Sequence, residues 1–148
     1  MQKTLLEKES PAVSWDLIFN QTNKLPIVMT NDPIEAFSFA SFYLNGLKQD
    51  LSQEDLTNVK NLLTSQKEWI EAYSAIRGDY FLISENCSIA VAPSSFLLRA
   101  IEQKPSITFE LPEEGTFIVI ENIVVPKTSK KQELVYKFIN FVYKYEYQ

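Results

Sequence analysis

Residues 25–46 read LPIVMTNDPIEAFSFASFYLNG. The three apolar residues after the proline, Ile27-Val28-Met29, are too few for a helix and suit a brief buried strand. Asp32-Pro33 then marks a helix start. Aspartate is a favoured N-cap, and proline suits the first helical position because the N–H it lacks has no helical partner there anyway. Glu35 occupies the place of a capping-box acid. Phe37, Ala40, Phe42 and Leu44 carry the helix on, and Asn45-Gly46 ends it. Strand, polar turn and helix in direct succession form the unit from which layered α/β folds are built.

The same alternation continues outward. Upstream, Ser14 precedes a short helical turn carrying Trp15, Leu17, Ile18 and Phe19. Downstream, a helix starts at Ser52, with Glu54 and Asp55 in its first turn suiting the helix dipole. Leu56, Val59, Leu62 and Leu63 give that helix its apolar face. Residues 69–73 read as a strand, 79–84 as a short helix, and 88–92 as a small-residue strand. A helix from Ser94 carries Leu97, Leu98 and Ile101 and is ended by Pro105. Residues 107–111 read as a further strand. Residues 116–125 form an apolar run broken only by Glu121-Asn122, which predicts a strand covered on both faces. Ser129 and Gln132 have capping-box spacing before an amphipathic helix through Leu134, Val135, Phe138, Phe141 and Val142. Residues 1–12 form a polar lead-in, and residues 13–148 read as one α/β domain.

Composition narrows the function classes. The chain has 148 residues, 45% hydrophobic and 13% aromatic, with three glycines, one cysteine, no histidine and a net charge of -5. That apolar content sustains a packed core. Three glycines leave no Gly-rich phosphate cradle, and the acidic balance argues against nucleic acid as a partner. Without histidine the chain has no Ser-His-Asp or Cys-His catalysis and no ordinary zinc site. The sequence therefore points to binding rather than catalysis, with no cofactor. The first nine residues carry no signal-peptide pattern, and no stretch approaches the length of a membrane span.

Three acids stand out. Asp32 and Glu35, three residues apart at a helix start, can point the same way and grip an ammonium group, although the same pattern is a helix-start signal in its own right. Glu121 interrupts an apolar run and must find solvent, a partner or a ligand there. Arg77-Gly78-Asp79 spells an adhesion tripeptide of almost no specificity. Cys87 reads as an ordinary thiol. Tyr136, Tyr143, Tyr145 and Tyr147 follow one helix and its tail and read as packing residues.

From Leu111 to Tyr143 the order is Leu111-Pro112-Glu113-Glu114-Gly115, the apolar run with Glu121-Asn122, Val125-Pro126-Lys127, and a helix with Lys137-Phe138-Ile139-Asn140-Phe141. This resembles the bacterial periplasmic spermidine/putrescine-binding proteins of ABC transporters. Ser14-Trp15, the segment Thr30 to Phe37, and Ile89 to Ser95 are similar to that family's second lobe in the same order. The resemblance implies one lobe of a type II solute-binding protein, a mixed sheet flanked by helices, together with the strand and helix of 116–143 that return toward the first lobe. It implies capture of a small cationic solute, such as a polyamine, for an ABC transporter, in a periplasmic setting.

Residue by residue, Asp32, Glu35 and Glu121 match the family's amine-binding acids. Pro93 and Val119 stand where its two sandwiching aromatics belong. The partners implied are the solute, a first lobe or the transporter permease, and a second copy through dimerisation or strand exchange, because 116–143 would expose apolar surface. The alternative is a ligand-incompetent interaction module that keeps the fold.

Overall fold

A computed structural model of the chain describes residues 12–20, 22, 25–74 and 77–144. Residues 1–11 of the polar lead-in, with Tyr145 and Tyr147, lie outside the described residues. The chain divides into two units, Met1–Thr116 and Phe117–Gln148.

The first unit is α/β. Its elements run α1 (Asp16–Phe19), β1 (Ile27–Met29), α2 (Pro33–Asn45), α3 (Gln53–Gln66), β2 (Ile70–Tyr73), α4 (Gly78–Ile83), β3 (Ile89–Ala90) and α5 (Ser94–Gln103). The strands form a three-stranded sheet in the order β2-β1-β3. Both ladders are parallel, pairing Ile27 with Ile70 and Ile89, and Val28 with Ala72 and Ala90. The expected mixed sheet is thus a small all-parallel one among the described residues, flanked by helices as expected. Parallel neighbours need crossovers, and the helices supply them.

β1 sits at the centre, and its three side chains are at most 1% exposed. Burying each of them is worth on the order of 2 kcal/mol, which explains how three residues suffice to anchor the sheet. Around them lie Trp15, Ile18, Phe19, Phe39, Ala40, Val59, Leu97 and Ala100. Trp15 stacks on Phe39 with ring centroids 4.4 Å apart, and Phe19 stacks on Tyr43 at 5.4 Å.

The helix boundaries follow the caps. The Asp32 side chain accepts from the N–H groups of Ile34 and Glu35, Pro33 opens α2, and Gly46 closes it with φ +61°. α3 carries a full capping box between Ser52 and Asp55, so Asp55 does more than answer the dipole. Its carboxylate also takes Lys48 Nζ at 2.6 Å, and Lys48 with Ser52 lowers its pKa to about 2.

The Pro112–Gly115 turn is pinned to the start of α1 from the far end of the unit. Gly115 N–H closes the turn on Pro112 O, and Glu113 N–H donates to Val13 O at 2.8 Å. Ser14 donates its hydroxyl to Glu114, Trp15 N–H donates to the same carboxylate, and Trp15 Nε1–H donates to Gly115 O at 2.9 Å. Burial raises the Glu114 pKa, but these donors more than offset it and hold the carboxyl below its ordinary value. A Cβ on Gly115, whose φ is +96°, would meet Leu47 at 3.1 Å, so both backbone angle and space require glycine.

Two expected strands are corrected. Residues 107–111 and 116–125 make no ladder among the described residues. An apolar run becomes a strand only where a neighbouring strand takes its N–H and C=O groups, and none is aligned beside either. Ile118 and Ile120 are 88% and 80% exposed, the opposite of the two-sided cover expected.

The second unit contains α6 (Gln132–Val142). Its N-cap is Lys131, with no side-chain cap bond. The Ser129–Gln132 capping box is therefore not formed, because the helix starts two residues too late for Ser129 to cap it. Ser129 Oγ instead accepts weakly from Lys131 N–H at 3.4 Å. Tyr136 and Tyr143 are exposed, not the packing residues the helix pattern suggests.

Candidate functional site

In an open parallel sheet, ligands bind beyond the carboxyl ends of the strands, where successive crossovers leave in opposite directions. Here that point is the end of β1. The chain leaves β1 through α2 and α3 to reach β2 on one side, then returns through α4 to β3 on the other. Ser74 N–H donates to Met29 O and Val91 N–H to Val28 O, both at 2.9 Å, so the segments leaving β2 and β3 are tied to β1 at this edge.

A cleft of about 300 Å³ lies there. The β1–α2 turn and the first turn of α2 line it with Thr30, Asn31, Asp32, Pro33 and Ala36; α3 and its C-cap contribute Leu63, Gln66 and Lys67; β2 contributes Tyr73. Of the sequence-derived acids, Asp32 is on its wall. Asp32 is exposed, and its Oδ1 accepts from Ile34 N–H at 2.7 Å and Glu35 N–H at 3.1 Å. It therefore caps α2, and Asp32 is among the residues that line the cleft.

Glu35 does not close a capping box. Its Oε2 accepts from the Thr30 hydroxyl at 2.6 Å, while Thr30 Oγ1 accepts from Asp32 N–H at 3.1 Å. The threonine hydroxyl stands where the glutamate would have reached, because Thr30 is buried against β1 and its oxygen lies between the two groups. Asp32 and Glu35 are thereby held on one turn through a shared partner. Glu121 lies in the second unit, Phe117–Gln148, and is exposed. Val119 lies there too, and Pro93 is the N-cap of α5. Neither supplies an aromatic face.

Sequence reasoning missed Thr30, Gln66 and Tyr73. Thr30 carried a signal, since a threonine two residues before an aspartate N-cap can bond backbone and side chain at once. Gln66 and Tyr73 carried none, because they reach the cleft only through the packing of α3 and β2 beside α2. Burial pushes the Tyr73 hydroxyl above its ordinary pKa, so it stays protonated, a donor, at neutral pH.

The described residues hold no cluster of three or more carboxylates or cysteines suited to a metal ion. Asp79 is fully buried, paired with Arg99 and with Arg77 Nε at 3.6 Å. The Arg77-Gly78-Asp79 tripeptide is thus locked into an ion-pair cluster and does not present its acid to solvent. Arg77 also lies 5.3 Å over the Tyr80 ring. No helix among the described residues is long and apolar enough to cross a membrane.

No family model matches the chain. Curated proteins do. A putrescine/cadaverine-binding protein of Pseudomonas aeruginosa is 28% identical over 152 residues, covering 95% of this chain. A putrescine/agmatine-binding protein of the same species is 23% identical over 151 residues, again 95% of the chain. The chain is similar to the putrescine-binding proteins. A putrescine-binding periplasmic protein, SpuD, of another strain is 22% identical over 97% of the chain. These putrescine-binding relatives are longer: the chain covers 43%, 41% and 42% of their lengths. Their names describe binding and not a reaction, in keeping with the residue chemistry. The similarity spans the α/β unit with the cleft at the carboxyl end of its central strand.

Proposed function

We propose that this chain is a lobe of an extracytoplasmic solute-binding protein and that it takes up a small aliphatic amine of the putrescine class. The observation that carries this reading is similarity to putrescine-binding proteins over 95% of the chain. The cleft beside Asp32 supports it, as a concave site at the strand-order switch point. Asp32, Glu35 and Glu121 are the amine contacts in this reading. Each would hold an ammonium by charge-assisted hydrogen bonds.

Handing the solute to an ABC-transporter permease in the periplasm belongs to the same proposal. So does cover of the exposed apolar residues Ile118, Ile120, Val124 and Phe138 by a first lobe or a second copy. Sedimentation that shows a monomer at every concentration removes the second copy.

Isothermal titration with putrescine, cadaverine and agmatine tests the reading. Saturable heat that Asp32→Asn, Glu35→Gln and Glu121→Gln each reduce supports it. Asn keeps the N-cap while removing the charge, so loss of binding in that variant is not a folding effect. Absence of heat at millimolar amine from the folded chain rejects it. One observation favours a second reading, that of a ligand-incompetent interaction module. Asp32 and Glu35 are already satisfied within the turn, by two backbone N–H groups and by the Thr30 hydroxyl.

A further inference from the structure

Thr30 directly follows β1 and is 3% exposed. A buried hydroxyl is costly unless it finds hydrogen-bond partners. Here both of its roles are used. Its oxygen accepts from Asp32 N–H at 3.1 Å, and it donates to Glu35 Oε2 at 2.6 Å, the separation of a charge-assisted bond to a carboxylate. The three residues before it are the most buried in the sheet, so the sheet fixes the hydroxyl and the hydroxyl fixes Glu35.

Each acid of the turn spends one oxygen on this arrangement and keeps the other. Asp32 Oδ1 takes the N–H groups of Ile34 and Glu35. Among the described residues, Asp32 Oδ2 and Glu35 Oε1 have no hydrogen-bond partner, and no ion pair includes either acid. Two carboxylates three residues apart thus stand without a paired cation. The N–H of Ala36 goes to Asp32 O, so the leading N–H groups of α2 are consumed and the helix end offers acceptors, not donors. A glutamate side chain has many rotamers, and here the entropy of choosing one is lost on folding rather than on binding. Without the hydroxyl, Glu35 would be free to swing away, and repulsion from Asp32 would favour that.

We infer that Thr30 is the positioning residue of the amine site, its hydroxyl holding Glu35 on the turn so that Asp32 and Glu35 each keep one oxygen for the solute's ammonium. The inference rests on the reading of these two acids as amine contacts and adds the residue that pre-arranges them.

Titration of the full chain with putrescine tests it. Thr30→Val keeps the shape and removes the hydroxyl, and binding should weaken about tenfold, the share expected of one hydrogen bond to a charged group. Thr30→Ser restores the hydroxyl and should recover most of that loss. A merely structural threonine would weaken binding whatever stands at position 35. A positioning one acts through the carboxylate, so in a Glu35→Gln background Thr30→Val should change affinity by less than about twofold. An NMR titration of the wild type needs no variant: the Glu35 side-chain carboxyl carbon should shift saturably while the Thr30 hydroxyl proton stays protected from exchange. Putrescine binding with the Glu35 carboxyl unmoved or the Thr30 proton exposed, wild-type affinity in Thr30→Val, no recovery in Thr30→Ser, or an equal loss in the Glu35→Gln background overturns the inference and leaves the amine reading standing. No saturable binding of putrescine by the wild type overturns both together.

Discussion

The Thr30 hydroxyl donates to Glu35 Oε2 at 2.6 Å while accepting from the N–H of Asp32 at 3.1 Å. One buried side chain thus couples the end of the central strand to the first turn of the helix that follows it. Valine at this position keeps the shape and leaves both partners without it. Thr30→Val should lose about 1–2 kcal/mol in a urea melt, and Glu35→Gln should lose less, since an amide oxygen still accepts from the hydroxyl.

The N-cap can be separated from the charge. Asp32→Ala removes the acceptor of the Ile34 and Glu35 N–H groups and should cost about 1 kcal/mol. Asp32→Asn should fall within a few tenths of the wild type by the same principle. Equal losses in the two variants would show that charge and not capping matters for stability.

Asp79 gives an acid-dependent term. Burial raises its pKa, but Arg99, the Tyr80 N–H and Arg77 outweigh burial and hold it below the ordinary carboxylate value. Its unfolded value is about 3.9, so the stabilisation is fully present above pH 4 to 5 and is lost as pH falls through the depressed folded value. Arg99→Ala leaves a buried carboxylate with Arg77 alone. Losing one partner of a buried pair costs roughly 3–5 kcal/mol, and the half-exposed Arg99 with Arg77 retained places this case near the lower figure. Denaturant midpoints from pH 7 down to pH 3 check both the loss and its flattening in the variant.

Asp55 should titrate at about 2, held there by Lys48 and the Ser52 cap. A side-chain carbonyl NMR titration reads this directly, and in Lys48→Ala the midpoint should rise toward the ordinary range.

Cys87 is buried, and burial pushes its thiol up to about 11. The thiolate is the reactive form, so a thiol reagent at pH 8 should label the folded chain slowly and the urea-unfolded chain at once. Equal labelling rates would contradict the burial.

The local grammar around residues 25–46 was legible because each signal is short-range. Asp32, Pro33 and Gly46 act through backbone groups within four residues, and the structure places α2 between them as the sequence requires. The caps that fail are equally instructive. Glu35 turns to Thr30, and Ser129 sits outside α6. Side-chain spacing names the candidates for a cap, but which oxygen wins depends on competing partners in space.

Residues 107–111 and 116–125 stay out of the sheet for a different reason. Apolar content is a property of the segment, whereas a ladder is a property of two segments. Ser14 and Glu114, 100 positions apart, show the converse: a side-chain hydrogen bond with no local signal at all. The candidate site divides the same way. Asp32 and Glu35 were readable from a helix start, while Gln66 and Tyr73 reach the cleft only through the packing of α3 and β2.

By itself the sequence determined the class of this protein. Strand and helix periods alternate, the composition lacks the residues of common catalysis, and three acids are candidates for holding a cation. Only the tertiary structure decided the order β2-β1-β3, which puts the end of β1 at the switch point, and the burial of Gln66 with one oxygen unanswered. Strand order and burial are set by contacts between segments distant in the chain, where hydrophobic burial and hydrogen-bond satisfaction are decided jointly.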